Sequence, residues 1–562
     1  MKILVLGSNE RSVLATIRSL GRAECEIDVF GLSKYSVVSH SKYTNNYYYL
    51  DTDIADQLKN YILDLVSTNA YDLILPCVDI FCLLIERDRV AYEKYAKISL
   101  PKNGSYEKMS DKKLLIDTSN KYNILTPITK CIIKGSQIKE SLISDVSFPI
   151  YAKPRYSVLI HNGRLQTTQV RKLHNKHQLL KYLSDYIYRV DVLLQDVVPG
   201  VGKSAYIFAV EGKVISIMSQ IRLHEPKIGG GSSYRSTCEL DDYLLDSSSR
   251  LALHYKWTGP MMIEYKHDPE SNKYYIMEIN ARLWGSLPLT INSGHDIPKY
   301  TYEYFSRGVV PKSNKTIIGL TQRHLVRDIG WLFSNKRRVS EYFSWLVDFK
   351  RVFYGREFFD VERKEDFMPA IWSYYFLLKN RLSQTRRIVG IVSNSINFLS
   401  LFQIVNKRRL IKIFQKKEIN NILFVCRGNV ARSAYCENWS KSHIPDCNFL
   451  SAGTIGVEGR HIQPEILDIA TDADLHHHRS VALDSIDRDW PDIIFIMDAR
   501  NLYEIKAFKF DSHLIFPLSC LSTLGQIKDP DKIDSKEVPD IVRSIRDNLT
   551  QFKRLFKESL FK

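Results

Sequence analysis

The chain has 562 residues, 44% hydrophobic and 25% charged. At roughly 150 residues per domain that is about three or four domains, and the composition excludes a disulfide-stapled miniprotein, a collagen or a disordered chain. The formal net charge of +16 is concentrated, because residues 306–418 carry 23 Lys and Arg against 9 Asp and Glu, or +14. A local basic surface is expected, not a protein that coats nucleic acid. The nine cysteines form no CxxC pair, which suits a reducing cytoplasm.

In chain order, Lys2-Ile3-Leu4-Val5-Leu6-Gly7 is too short an apolar run for a signal peptide and reads as a strand entering a turn at Gly7-Ser8-Asn9. A helical pattern (Val13, Ile17, Leu20) follows, then strands at Ile27–Gly31 and Asp72–Pro76. This alternation predicts a parallel, doubly wound unit over residues 1–105. Residues 106–310 have longer, alternating strands that pair like hairpins, Ser204–Val210 with Lys213–Met218 and Met261–Tyr265 with Tyr274–Ile279, and predict an α+β domain.

Within that domain Lys112 and Lys153 lie beside apolar segments, and Leu193–Gln195-Asp196-Val197-Val198 is a strand ending in a turn. Glu264 and Glu278 sit inside apolar strands, where unpaired negative charge is costly unless a cation shares the site. With the carbonyl of Asn280 they make an all-oxygen donor set suited to Mg²⁺ on ATP phosphates. Gly202-Lys203-Ser204 is no P-loop, since that motif requires Gly where Val197 stands. Together with Lys153-Pro154-Arg155, Arg222–Pro226, Gly229-Gly230-Gly231-Ser232 and Glu278-Ile279-Asn280-Ala281-Arg282-Leu283-Trp284-Gly285, these residues resemble the ATP-grasp superfamily, closest to its carbamoyl-phosphate-synthase-like carboxylate ligases. The first 105 residues resemble its leading Rossmann-like domain.

That resemblance implies that Lys112 and Lys153 hold ATP phosphates and that the backbone of Gln195 to Val198, Asp196 included, reads adenine. It also implies that Glu264, Glu278 and Asn280 hold magnesium, that Arg282 steadies the transferred phosphoryl group and that Arg222 lies near the acyl substrate. The implied chemistry activates a small carboxylic acid as an acyl phosphate for attack by an amine. Two departures stand out: only Gly163 follows Lys153 in place of a glycine-rich lid, and Val201-Gly202-Lys203-Ser204 offers no acid for the ribose.

Residues 311–418 hold the clusters Asn335-Lys336-Arg337-Arg338, Arg386-Arg387 and Asn406-Lys407-Arg408-Arg409. Ile388–Asn406 is uncharged over 19 residues, but Ser393, Asn394, Ser395, Asn397, Ser400 and Gln403 interrupt it. The segment is expected to be a basic helical connector, with contact to an anionic membrane surface as the second reading. The stretch from Phe358-Phe359-Asp360 to Met368-Pro369 resembles the tail of ATP-grasp relatives.

Residues 419–562 open with the apolar strand Ile422–Val425, which runs into Cys426-Arg427-Gly428-Asn429-Val430-Ala431-Arg432-Ser433 and a helix. Loop N–H groups and the helix N-terminus form an anion nest that favours a thiolate nucleophile at Cys426. Arg432 can grip two phosphate oxygens, Ser433 can hydrogen-bond the sulfur, and Asp529, before Pro530, is a candidate acid. With Ser451-Ala452-Gly453-Thr454, His478-Arg479-Ser480, Asp492–Met497 with Asp498, and Asp529-Pro530, this resembles the low-molecular-weight protein tyrosine phosphatases, a doubly wound parallel-sheet family. In that family Cys426 would form the phosphocysteine, Arg432 would bind phosphate, and Asp529 would be the acid and later the base. Ala431 stands where many relatives carry a second cysteine, so a redox switch within the loop is not expected. His476-His477-His478 is read as structural.

The expectation is an α/β multidomain, cytoplasmic, two-enzyme fusion: Rossmann-like domain 1–105, ATP-grasp domain 106–310, basic connector 311–418 and phosphatase-like domain 419–562. ATP and Mg²⁺ are the expected cofactors, and a phosphotyrosine protein, such as a bacterial tyrosine kinase in surface-polysaccharide assembly, is the expected partner. The alternatives are a phosphatase with a non-catalytic nucleotide-sensing module, and a membrane-surface scaffold.

Overall fold

A computed structural model describes all residues except Asn9, Asn103, Lys139, 226–230, 334–338, 522–525, 531–536 and 561–562. The expected Asn9, Gly229, Gly230 and 335–338 features therefore lie outside the described residues. The chain divides into two compact units: Met1–Ile133 with Ser147–His174 and Arg189–Leu377, and Lys134–Val146 with Asn175–Tyr188 and Leu378–Lys562.

The first unit begins with a five-stranded parallel sheet in the order Asn46–Tyr49, Glu26–Gly31, Lys2–Leu6, Leu73–Pro76, Lys97–Ile98. Ile3, Leu4, Val5 and Leu6 are all fully buried, as a central parallel strand covered on both faces must be. The helix Arg11–Arg22 buries Val13, Ile17 and Leu20 against it. A four-stranded antiparallel sheet follows, in the order Arg171–Leu173, Ile150–Pro154, Val192–Asp196, Thr129–Ile132.

A seven-stranded sheet completes the unit: Lys273–Asn280, Gly259–Asp268, Val201–Val210, Lys213–His224, Tyr234–Cys238, Thr321–Arg323, Glu357–Phe359. Both expected hairpins are present in it. The segment expected to be a helical connector is helical only in part, because its strands Thr321–Arg323 and Glu357–Phe359 finish this sheet. They are buried by ion pairing and not by apolar alternation. Arg323, fully buried, pairs with Glu357 at 2.7 Å and with Asp328, and lies over the Tyr234 ring. Asp360 likewise neutralises buried Arg235 at 2.5 Å and Arg11 at 3.0 Å.

The second unit holds a four-stranded parallel sheet, Asn448–Gly453, Asn421–Cys426, Ile493–Ile496, Ile515–Pro517. Helices Arg432–His443 and Val538–Leu560 cover it through Tyr435, Trp439, Ile545, Leu549 and Phe552. The strand Asn421–Cys426 is central, so the loop after it opens at the carboxyl edge of the sheet, where such folds place their ligands.

Candidate active sites

In the first unit, antiparallel pairing sets Glu264 directly opposite Glu278. Lys112, the first residue of the helix Lys112–Lys121, reaches Glu278 at 3.7 Å and donates to Ser157 Oγ at 2.7 Å. Lys153 is buried on Ile150–Pro154, and burial pushes its ammonium below the ordinary range against the pull of Glu278. Arg222 donates to Glu264 Oε2 at 2.6 Å, and Asn280 Nδ2 donates to Glu264 Oε1 at 3.3 Å. Burial disfavours the Arg222 charge, but Glu264 and Glu225 more than restore it and the net shift is upward. Lys112, Lys153, Arg222, Glu264, Glu278 and Asn280 are thus brought into one cluster.

Arg282 is linked elsewhere: its Nε donates to Asp79 Oδ2 at 2.7 Å, at the start of the helix Asp79–Arg87. Gln195 is buried and donates to Thr129 Oγ1 at 3.1 Å, which orients it within the sheet. The Asp196 N–H is donated to the Ile128 carbonyl at 3.0 Å, so it is engaged within the protein. Among the described residues no three His, Cys, Asp or Glu side chains converge as a metal cage. The donor set at Glu264, Glu278 and Asn280 is two carboxylates and an amide oxygen, which fits a hard cation that keeps most of its ligands from water and phosphate.

In the second unit the strand Asn421–Cys426 ends on Cys426, and the helix Arg432–His443 begins on Arg432. Asn429 takes a left-handed φ of 53°, which turns the loop back so that its N–H points at Cys426 Sγ, 3.3 Å away. Ser433 Oγ donates to the same sulfur at 3.0 Å. Arg432 is 1% exposed. Its Nη1 donates to Asp498 Oδ2 at 2.7 Å and to the Ile527 carbonyl at 2.9 Å, while Nη2 lies 3.3 Å from Asp529 Oδ1. Burial opposes this charge and the two carboxylates more than compensate, so the guanidinium is held above its ordinary range. Its Nε is buried with no hydrogen-bond partner among the described residues, and a guanidinium edge of this kind can grip an oxyanion.

Several supporting residues have no conspicuous sequence signal of their own. Asn429 Nδ2 donates to Ser433 Oγ at 3.0 Å and to Ser451 Oγ at 2.7 Å, and its Oδ1 accepts from the Val481 N–H at 2.7 Å. Ser451 donates to Glu437, Arg460 to the Gly428 carbonyl, and His478 Nε2 lies 3.0 Å from the Asn429 carbonyl. His478 is therefore structural, as expected, and braces the loop. Gly453 sits in close approach, since a Cβ there would lie 3.0 Å from the Arg427 carbonyl oxygen and from the Gly428 carbonyl carbon. Only the position of Asn429 within the loop, and the motif containing His478, could have flagged this network.

A family profile described as low molecular weight phosphotyrosine protein phosphatase matches residues 421–560. Another, described as ATP-grasp in the biosynthetic pathway with Ter operon, matches residues 188–325. The low molecular weight protein-tyrosine-phosphatase PtpB of Staphylococcus epidermidis is 31% identical over 107 residues, covering 17% of this chain and 77% of that protein. PtpB of Staphylococcus haemolyticus is 29% identical over 111 residues, covering 19% and 80%. The solved L-amino acid ligase of Bacillus licheniformis superposes at a TM-score of 0.43 with 12% identity, over 55% of this chain and 74% of that one.

Proposed function

Given that the chain belongs, through residues 421–560, to the low molecular weight protein-tyrosine-phosphatase family and carries an ATP-grasp module as well, we propose that it is a two-site enzyme that hydrolyses phosphotyrosine in a protein and ligates a small carboxylic acid to an amine. Residues 1–105 and 106–310 serve ligation, together with the strands Thr321–Arg323 and Glu357–Phe359 that complete their sheet; the remainder of 311–418 is the basic segment and 419–562 serves hydrolysis. The observation that carries the reading is the convergence of Ser433 Oγ and the Asn429 N–H on Cys426 Sγ, in a loop whose Arg432 lies beside Asp529.

In hydrolysis, Cys426 sulfur attacks phosphorus while the Nε–Nη2 edge of Arg432 and the loop N–H groups hold the equatorial oxygens. Asp529 gives its proton to the departing tyrosyl oxygen. Water then attacks the phosphocysteine with Asp529 as base, and phosphate and the Cys426 thiolate are regenerated. Ser433 and Asn429 stabilise the sulfur as a leaving group in that second step.

In ligation, Lys112 and Lys153 hold ATP phosphates, and Gln195 to Val198 frame the adenine. Glu264, Glu278 and Asn280 would hold Mg²⁺, which supplies charge screening between phosphate oxygens. Arg282 steadies the phosphoryl group in transit, held in position by Asp79, and Arg222 orients the acid. A phosphotyrosine-bearing bacterial kinase of surface-polysaccharide export, met in the cytoplasm, is the partner that suits a phosphatase of this kind.

The test is p-nitrophenyl phosphate hydrolysis by the full chain, Cys426→Ser and Asp529→Asn, with and without Mg-ATP. Loss in the Cys variant and reduction in the Asp variant support the thiolate mechanism, and an inactive wild type overturns it. A second reading, a nucleotide sensor without ligation, is favoured by one observation: both oxygens of Glu264 are engaged, by Arg222 and Asn280. ADP release that requires added carboxylic acid excludes the sensor, whereas ATP binding without turnover supports it.

A further inference from the structure

Within the second unit, the end of the helix Met368–Asn394, the turn Ser395–Phe398 and the helix Ser400–Lys416 form a bent pair that carries apolar residues on its outward side as well as its inward one. Its inward face is mixed: Ile391, Phe398, Leu410, Ile413 and Phe414 pack into the core of the unit, with polar residues set among them. Asn394, Gln403 and Asn406 are buried beside Phe398 and Leu410. Gln403 donates to Ser519 Oγ at 3.1 Å, Asn394 accepts from Lys506 at 3.1 Å, and Lys407 donates to the Leu521 carbonyl at 3.0 Å. Gly390 lets the first helix lie against the Tyr503 ring, which a Cβ would meet at 2.5 Å. These contacts fix which way the pair faces.

The outward face is apolar. Ile388, Val389, Val392, Ile396, Leu399, Phe402, Ile404 and Val405 are each between 41% and 65% exposed. Eight large apolar side chains left in water within 18 residues are more than a scatter of single exposed residues and mark a surface that meets something. Along the second helix the same outward line continues from Ile404 through Arg408, Lys412 and Lys416, at four-residue spacing, and all three cations are exposed. An apolar strip ending in a row of cations complements a layer whose interior is hydrocarbon and whose rim is anionic.

We propose that this bent helix pair seats the chain on an anionic bilayer surface, with its outward apolar residues at the acyl boundary and Arg408, Lys412 and Lys416 on the headgroups. Among the described residues no single helix is long and apolar enough to cross a membrane; the two segments Ile388–Phe398 and Phe402–Lys416 reach that length and hydropathy only together, and they meet at 70°. A spanning arrangement would also strip Asn394, Gln403 and Asn406 of their buried setting, whereas surface seating keeps every one of their contacts. The proposal does not depend on either enzymatic reading.

The experiment is flotation of the full chain with vesicles of phosphatidylcholine alone and of phosphatidylcholine mixed with phosphatidylglycerol, with melting temperature as the check on folding. The wild type floats with the anionic vesicles and not with the neutral ones, and high salt weakens the association. Replacing Arg408, Lys412 and Lys416 together by Gln lowers the affinity on the order of a hundredfold, and Val392→Asp with Ile404→Asp releases the protein at low salt. The triple Gln variant leaves the outward apolar face and the buried face untouched, so its folding is not in question. Wild type that stays unbound to anionic vesicles overturns the proposal, as does flotation unchanged by both sets of substitutions. A wild-type dimer in light scattering that Val392→Asp with Ile404→Asp dissociates also overturns it, because a second copy would then be what covers the face.

Discussion

The guanidinium of Arg432 and the carboxylate of Asp529 stand 3.3 Å apart, although they leave opposite ends of the domain's sequence. Asp498 holds the other edge of the same guanidinium at 2.7 Å. One buried cation therefore holds two carboxylates, Asp498 on Nη1 and Asp529 beside Nη2.

If Asp529 protonates the leaving group, Asp529→Asn lowers kcat by about 10²- to 10⁴-fold, and the loss depends on the leaving oxygen. It is larger for phenyl phosphate than for p-nitrophenyl phosphate, whose nitrophenolate departs readily without a proton. Steady-state rates on the two esters check this, and equal losses would reduce Asp529 to a structural partner of Arg432.

Gly453→Ala forces a methyl group against the backbone of the phosphate loop at Arg427 and Gly428. Neither atom is the end of a flexible side chain, so the loop itself must shift, at about 1–3 kcal/mol. Urea unfolding should show a lower midpoint at unchanged slope, and kcat/KM on p-nitrophenyl phosphate should fall because the Cys426 nest is displaced.

His478 yields a pH dependence. Burial drives its imidazolium below the ordinary histidine range, against the opposing pull of the Asn429 carbonyl and Glu437. The unfolded chain thus binds the proton more readily than the folded one. The stability contributed by neutral His478 is fully present above about pH 6.5 and is lost as pH falls below that value toward its folded-state pKa. Melting temperatures measured from pH 7.5 down to 5.5 should fall for the wild type and fall less steeply for His478→Gln.

Glu278 faces Lys112 at 3.7 Å and stands opposite Glu264. Glu278→Gln removes one of the two carboxylates available to a divalent cation, and it also leaves the buried ammonium of Lys153 with less compensation. The wild type should gain about 2.7 kcal/mol of stability at a hundredfold excess of Mg-ATP over its Kd, seen as a raised melting temperature. Glu278→Gln should lose that increment while p-nitrophenyl phosphate hydrolysis stays as in the wild type.

The hydrolytic centre was legible because its chemistry is local: Cys426, Arg432 and Ser433 lie within eight residues, between an apolar strand and a helix. Asp529 was legible only through its Asp-Pro context; Asn429 and Ser451 stand inside recognisable motifs, but their bracing contacts follow only from the fold, since one amide and one hydroxyl carry no spacing rule. Glu264 and Glu278 could be picked out as acids inside apolar strands, but their face-to-face register is a property of the pairing. The strands Thr321–Arg323 and Glu357–Phe359 stayed hidden for a physical reason. They are buried through charges satisfied by Asp328, Glu357 and their neighbours, so the hydrophobic alternation that betrays a strand is missing. The uncharged run Ile388–Asn406 was legible as a segment, but composition alone does not say which of its residues face outward.

The pairing of Arg235 with Asp360 also bears on the order of synthesis. A ribosome releases the strand Tyr234–Cys238 about 120 residues before Asp360, so a nascent chain holds two guanidiniums, Arg11 and Arg235, with their shared counter-ion still untranslated. The seven-stranded sheet cannot close around them until then, and a fragment ending at residue 310 would be trapped at the same stage. Recombinant versions of the amino-terminal half should therefore extend beyond Asp366, whose carboxylate anchors Arg18 in the same way.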